Sequence, residues 1–191
     1  MKLFSARILS KKSSSGFTLI ELLVVIGILG ILATALVATI DPFEQLKKAS
    51  DANVKNTAVE YVDANIRYYT THNGMPWAGT DTYGTSCGTA AGMSPSGPTT
   101  PVVLTTVTSS CLAELINDGE LKTAFTTAVG VLSAITITGG TNSVTACFAP
   151  ASRAQRNDGN TKYKLTAGTF ATVTDGSCPN ATMTNCYWCA Q

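Results

Sequence analysis

Between Phe17 and Ile40 the sequence reads FTLIELLVVIGILGILATALVATI, 24 residues with one charged side chain, Glu21. This run constrains the chain more than any other feature. As a helix rising ~1.5 Å per residue it reaches roughly 36 Å, enough to cross a hydrocarbon core of ~30 Å. A carboxylate inside such a span costs several kcal/mol unless it is paired, so Glu21 requires a partner.

The charge around this run is asymmetric. Lys2, Arg7, Lys11 and Lys12 give the first sixteen residues a charge of +4 with no acidic residue. Since the whole chain carries +1, the remainder carries −3. A short basic leader before an apolar run reads as a targeting segment. The positive-inside rule places the N-terminus in the cytoplasm and the rest of the chain outside. The six cysteines, Cys87, Cys111, Cys147, Cys178, Cys186 and Cys189, all follow the run. An even number on the outer, oxidising side fits disulfides, although six cysteines allow fifteen pairings and sequence does not choose among them.

Three readings of the apolar run compete. A secretory signal peptide would be cut after a small-x-small site such as Ala33-Thr34-Ala35, but its core is ~7–15 uncharged residues, and here the run is longer and holds Glu21. A plain signal anchor is the second reading. The third rests on the junction Lys11-Lys12-Ser13-Ser14-Ser15-Gly16-Phe17-Thr18-Leu19-Ile20-Glu21. This junction resembles the prepilin cleavage site of type IV pilins and pseudopilins. The resemblance is strong over roughly residues 11–70 and only architectural beyond. It implies cleavage between Gly16 and Phe17 by a dedicated membrane peptidase, N-methylation of Phe17, and Glu21 as the fifth residue of the mature chain.

The logic of such a cut is physical. Cleavage before the apolar run leaves the anchor on the mature chain. The new amine of Phe17 is a cation, and methylation keeps it one. On a neighbouring subunit that amine relieves the cost of Glu21, which makes Glu21 a register-setting residue for helices packing side by side. The alternative is a carboxylate that is protonated or reaches the headgroups. Gly27 and Gly30 admit close helix approach, but they are three apart and form no GxxxG face.

Beyond Asp41-Pro42, which interrupts the helix, residues 43–73 read as an amphipathic helix. Leu46, Ala49, Val54, Ala58, Tyr61, Val62, Ile66 and Tyr69 form a stripe at 3.6-residue spacing, stopped at Asn73-Gly74. Residues 17–73 are expected to form one long stalk, bent near Pro42 and facing a small sheet. Residues 74–110 are loop-like, rich in Gly, Pro, Thr and Ser. A short helix is expected around 111–117, stopped near Gly119, with another turn at 121–128. Residues 131–138 and 143–149 read as one hairpin, and 162–166 and 169–174, joined at Ala167-Gly168, as a second.

The resulting domain reading is a leader 1–16, a transmembrane and assembly helix 17–40, an amphipathic continuation 41–73, and a disulfide-stabilised head 74–191. Within that head, 74–130 is loop region and 131–174 is antiparallel sheet. The fold class is α+β, a long N-terminal helix packed on a small antiparallel sheet, which is also what the pilin resemblance implies. The resemblance further implies a C-terminal loop closed by disulfides. The expected arrangement is Cys87–Cys111, with the other four cysteines tying the tail to the sheet.

Enzyme chemistry finds little support. The single histidine, His72, ends the stalk helix and reads as a surface residue, and neither a carboxylate pair nor a phosphate loop is evident. Cys186-Tyr187-Trp188-Cys189 has redox spacing but no following helix to stabilise a thiolate. Zinc bound by Cys147, Cys178, Cys186 and Cys189 is the minor alternative to disulfides, so no metal and no cofactor is expected. Arg153, Arg156, Lys162 and Lys164 form a basic cluster around Asp158. On a net-acidic body it reads as a solvated surface, and nucleic acid is not an expected partner.

The function expected is a structural pilus or pseudopilus subunit that self-assembles into a helical filament. Its partners are the prepilin peptidase and methyltransferase, the assembly machinery and the membrane. The alternatives are a minor pilin, a secretion or competence pseudopilin, or a membrane-anchored or secreted disulfide-stabilised binding domain. The subunit would be a single-pass membrane protein before assembly and extracellular in the filament.

Overall fold

A computed structural model describes residues 16–39, 41–78, 87, 100–105, 111–180, 182 and 185–191. Residues 1–15 of the expected leader lie outside the described residues, as does most of the loop between Ala78 and Thr100. The chain divides into two compact units, Met1–Asp41 and Pro42–Gln191.

The first unit holds helix α1, Leu19–Thr39, with no buried residue. Its side chains are almost uniformly apolar, so no face is distinguished from another. Thr34 and Thr39 turn their hydroxyls back onto the carbonyls of Ile31 and Leu36, at 2.8 and 2.7 Å. Their polar groups are thereby satisfied within the helix.

The second unit is built on α2, Pro42–His72. The expected bend at Pro42 is a break in the helix. Asp41 is non-helical and Pro42 takes the first position of α2, where its missing N–H and fixed φ cost nothing. Asp51, Val54, Ala58, Tyr61, Asn65 and Tyr68 are buried along one stripe of alternating three- and four-residue steps. Asn73, with φ +53°, donates its N–H to the Tyr69 carbonyl at 2.9 Å and ends the helix, where a stop is expected, in a left-handed cap.

The stripe packs on a four-stranded antiparallel sheet. Its strands are β1 (Val102–Val103), β2 (Ile135–Gly139), β3 (Val144–Phe148) and β6 (Trp188–Ala190), in that spatial order. Ile135, Ile137, Val144, Ala146 and Phe148 point into the core. Lys55 of α2 lies over the Trp188 ring at 4.9 Å, adding a cation–π contact to the apolar packing. The buried Trp77 indole donates to the Gly140 carbonyl at 2.9 Å, which anchors the β2–β3 turn.

The second hairpin, β4 (Tyr163–Thr166) and β5 (Thr169–Thr172), joins the C-terminal segment through an isolated bridge between Tyr163 and Tyr187, an edge contact of Phe170 on Tyr187 at 5.1 Å and a bond from Lys164 to Ser177. Its two-residue turn has Ala167 at φ +51° and Gly168 at φ +83°, the left-handed pair of a type I′ turn. Between β1 and β2 the chain forms α3 (Leu112–Asn117), a 3₁₀ turn at Thr123–Thr127 and α4 (Val129–Leu132), and α5 (Arg153–Arg156) follows β3.

Several boundaries differ from the sequence reading. The first hairpin does not begin at Val131, because Val131 and Leu132 close α4 and bury Leu132. Strands β1 and β6 lie outside the expected sheet span of 131–174. At two and three residues they are too short for alternation to register and exist only through their ladders to Ile137, Thr136 and residues 146–148.

Candidate functional site

The N-terminal edge of α1 carries the residues singled out by sequence. Gly16, Phe17 and Thr18 are non-helical and exposed, and Phe17 is 83% exposed. The chain enters the helix at Leu19 with Thr18 as N-cap. Thr18 donates from both its backbone N–H and its hydroxyl to Glu21 Oε2, each at 2.8 Å. The Glu21 N–H donates back to Thr18 Oγ1 at 3.3 Å. This reciprocal pair is a capping box, satisfying otherwise orphaned donors at the helix start. The carboxylate also sits where the helix dipole favours negative charge. Sequence reasoning assigned Glu21 to a neighbouring subunit and missed this partner within the chain, although Thr-x-x-Glu before an apolar run is its sequence signature.

The rest of α1 presents Ile20, Leu23, Val24, Leu29, Ile31 and their large apolar neighbours at 46–86% exposure. Gly27 and Gly30 have open space where a Cβ would project, so no close packing within the chain requires them. Most of the exposed large apolar side chains among the described residues lie on this one helix, a surface that calls for an apolar covering.

The six cysteines form three disulfides: Cys87–Cys111, Cys147–Cys189 and Cys178–Cys186. The first ties residue 87 to the start of α3. The second joins directly opposed residues of β3 and β6, and the third closes a small loop ahead of β6. Cys186 and Cys189 belong to different bridges, so their C-x-x-C spacing makes no dithiol pair. Among the described residues no group of three or more His, Cys, Asp or Glu side chains is placed to hold a metal ion.

The other singled-out polar residues have structural settings. His72 is not a plain surface residue: its ring stacks on Tyr68 at 4.0 Å and its Nε2 lies 3.5 Å from Asp118 Oδ1. Members of the basic cluster bond to different partners. Arg156 donates to the carbonyls of Pro150 and Ala151, Lys164 donates to Ser177 Oγ, and the Arg153 N–H is held by Glu44. Sequence reasoning also passed over Asp51, which is 4% exposed on α2. Its carboxylate accepts from the N–H groups of Ala151 and Ser152 at 2.9 and 2.8 Å and from the Ser152 hydroxyl at 2.6 Å. Asp51 thus fastens α2 to a loop 100 residues away.

Residues 11–37 match the family described as "Prokaryotic N-terminal methylation motif". That match covers the basic end of the leader, the Gly16-Phe17 junction, the capping box and most of α1, and it is the signature of type IV pilins and pseudopilins. No curated protein and no solved structure matches the chain.

Proposed function

We propose that this prepilin-like chain is a structural filament subunit, cut between Gly16 and Phe17, N-methylated on Phe17 and polymerised through α1. The observation that carries the reading is α1 itself, an apolar helix of 21 residues with no buried residue, opened by the Gly16-Phe17 junction and Glu21. Before assembly lipid covers it. In the filament other copies of α1 cover it. Both surroundings are apolar, so the transfer is nearly balanced and small interactions decide it. The described polar side chains of α1 and its cap are bonded within their own helix, so none of them hinders the exchange.

Glu21 supplies the specificity. Its two bonds from Thr18 fall on Oε2, and we assign Oε1 to the cationic amine of Phe17 on a neighbouring copy. A single polar pair in an apolar seam sets the register because every slipped register leaves a charge unpaired. The contact between copies is heterologous and does not close, which builds a filament. The same reading places the leader in the cytoplasm and the head outside, with the motif-specific peptidase and an assembly machinery as partners. Three disulfides support an oxidising location for the head.

Mass spectrometry of the mature protein tests this. The expected N-terminus is N-methyl-Phe17. An N-terminus at Leu36, or an intact leader in the assembled protein, would overturn it.

A further inference from the structure

Cys147, Cys178, Cys186 and Cys189 allow three complete pairings, and strand β6 is compatible with one of them. The structure joins Cys147 to Cys189 and Cys178 to Cys186, so one bridge is nested inside the other. Joining Cys147 to Cys186 instead would slide β6 by three residues along β3. An odd slip turns every side chain over, which takes Trp188 away from Phe148 and the core to the opposite face. Joining Cys186 to Cys189 would remove β6 altogether. The backbone is extended from Tyr187 to Ala190. Three strand steps of ~3.3 Å hold the Cα atoms of Cys186 and Cys189 about 10 Å apart. A disulfide does not span more than ~7 Å between Cα atoms.

The unfolded chain favours a different pair. Cys186 and Cys189 are three residues apart, against 8 for Cys178–Cys186 and 42 for Cys147–Cys189. A shorter loop loses less entropy on closing, and C-x-x-C is a spacing that closes readily to a disulfide. Cys147 and Cys178 are also synthesised before either of their native partners. Oxidation before folding therefore draws the four cysteines toward Cys147–Cys178 with Cys186–Cys189. Neither bridge is native, and the second forbids β6.

We propose that Cys186–Cys189 forms first and is the point of attack for a thiol–disulfide isomerase, which makes this chain a substrate of that class of enzyme. The exchange consumes no oxidant and no reductant. The isomerase thiolate attacks Cys189 Sγ, forms a mixed disulfide and releases Cys186 as thiolate. Cys186 attacks Cys178 Sγ, which forms the native Cys178–Cys186 bridge and releases Cys147. Cys147 attacks Cys189 Sγ, which forms the second native bridge and returns the isomerase thiolate. Two disulfides of the chain break and two form, with no net change in electrons or protons. Folding then withdraws the product from exchange, because Cys147, Cys178 and Cys186 are buried. The proposal goes beyond the filament reading and needs only an oxidising location for the head.

The test uses the full chain in detergent, reduced, unfolded and oxidised with diamide. Cleavage at Met183, Tyr187 and Trp188 separates Cys178, Cys186 and Cys189, so mass spectrometry of the unreduced peptides reads the pairing. Without isomerase, fewer than about one in three molecules should carry the native pairing of these four cysteines, the share that chance would give. A catalytic amount of purified, reduced disulfide isomerase should convert most of them, at least about tenfold faster than the untreated sample rearranges. An isomerase stripped of its second active-site cysteine should be captured as a mixed disulfide on Cys186 or Cys189. Native pairing in most molecules without isomerase, or capture on another cysteine, overturns the proposal. Two variants locate the effect. Cys178→Ala with Cys186→Ala should form Cys147–Cys189 unaided, because the competing bridge is gone. Cys87→Ala with Cys111→Ala should still need the isomerase. The reverse result in either variant also overturns the proposal. Every readout is a peptide and not a filament. A chain that pairs as expected but yields no methylated filament therefore defeats the filament reading alone.

Discussion

Replacing Glu21 with alanine removes two things at once, a capping partner for Thr18 and the charge assigned to a neighbour's amine. The capping loss loosens the first turn and leaves a 21-residue apolar helix able to insert. Glu21→Ala is therefore expected to retain normal membrane insertion and lose most filament yield, as read by fractionation and filament shearing. Normal yield would refute the register argument. Glu21→Gln separates the two roles, since it preserves a capping acceptor without the charge. Asp51 is the corresponding single point within the head. Asp51→Ala strands two backbone N–H groups and a hydroxyl, and is expected to destabilise the head by about 3 kcal/mol in denaturant titrations. Ala167 works in the opposite direction. It holds φ +51°, a region costly to a residue with a Cβ, so Ala167→Gly should raise stability by about 0.5–1 kcal/mol in thermal unfolding.

At the scale of elements, the short strand β6 carries more than its length suggests. It buries Trp188 against Phe148 and places Cys189 opposite Cys147. The Cys147–Cys189 bridge spans 42 residues of sequence, and Cys178–Cys186 spans 8. Cross-linking a longer loop removes more entropy from the unfolded chain. Deleting the longer bridge with paired alanine substitutions is thus expected to cost about 1.5 kcal/mol more than deleting the shorter one, measured by denaturant midpoints. Equal costs would show that strain or residual structure outweighs loop closure. The α2 helix is fastened at several places, by Asp51 to the loop after β3, by Arg67 to Glu120, and by Lys55 to Trp188. These long-range ties lock the stalk helix onto the head.

For the molecule as a whole, pH reports on the core that α2 and the sheet enclose. Burial pushes the Tyr61 phenol above its ordinary value, against a smaller lowering by the Asn65 side chain. The native state therefore keeps the proton while the unfolded chain releases it above pH ~10. Stability is fully present below that pH and falls as pH rises beyond it. Unfolding titrations of the full chain between roughly pH 9 and 11 should show this slope, and Tyr61→Phe should flatten it. An unchanged slope in that variant would place the alkaline sensitivity elsewhere.

What the sequence determined by itself is local. The apolar helix, the stop at Asn73, the α3 stretch ended near Gly119 and the Ala167-Gly168 turn are legible because periodicity, capping and turn chemistry act between residues a few positions apart. The Gly16-Phe17 junction is legible for the same reason. The tertiary structure decided what depends on partners far along the chain. It chose one disulfide pairing of fifteen, made strands of Val102–Val103 and Trp188–Ala190, and buried Asp51 beneath a loop 100 residues away. It also covered His72 with Tyr68 and Asp118. No window of neighbouring residues encodes these outcomes. A two-residue strand has no period, and a buried carboxylate is stable only where the fold delivers its donors.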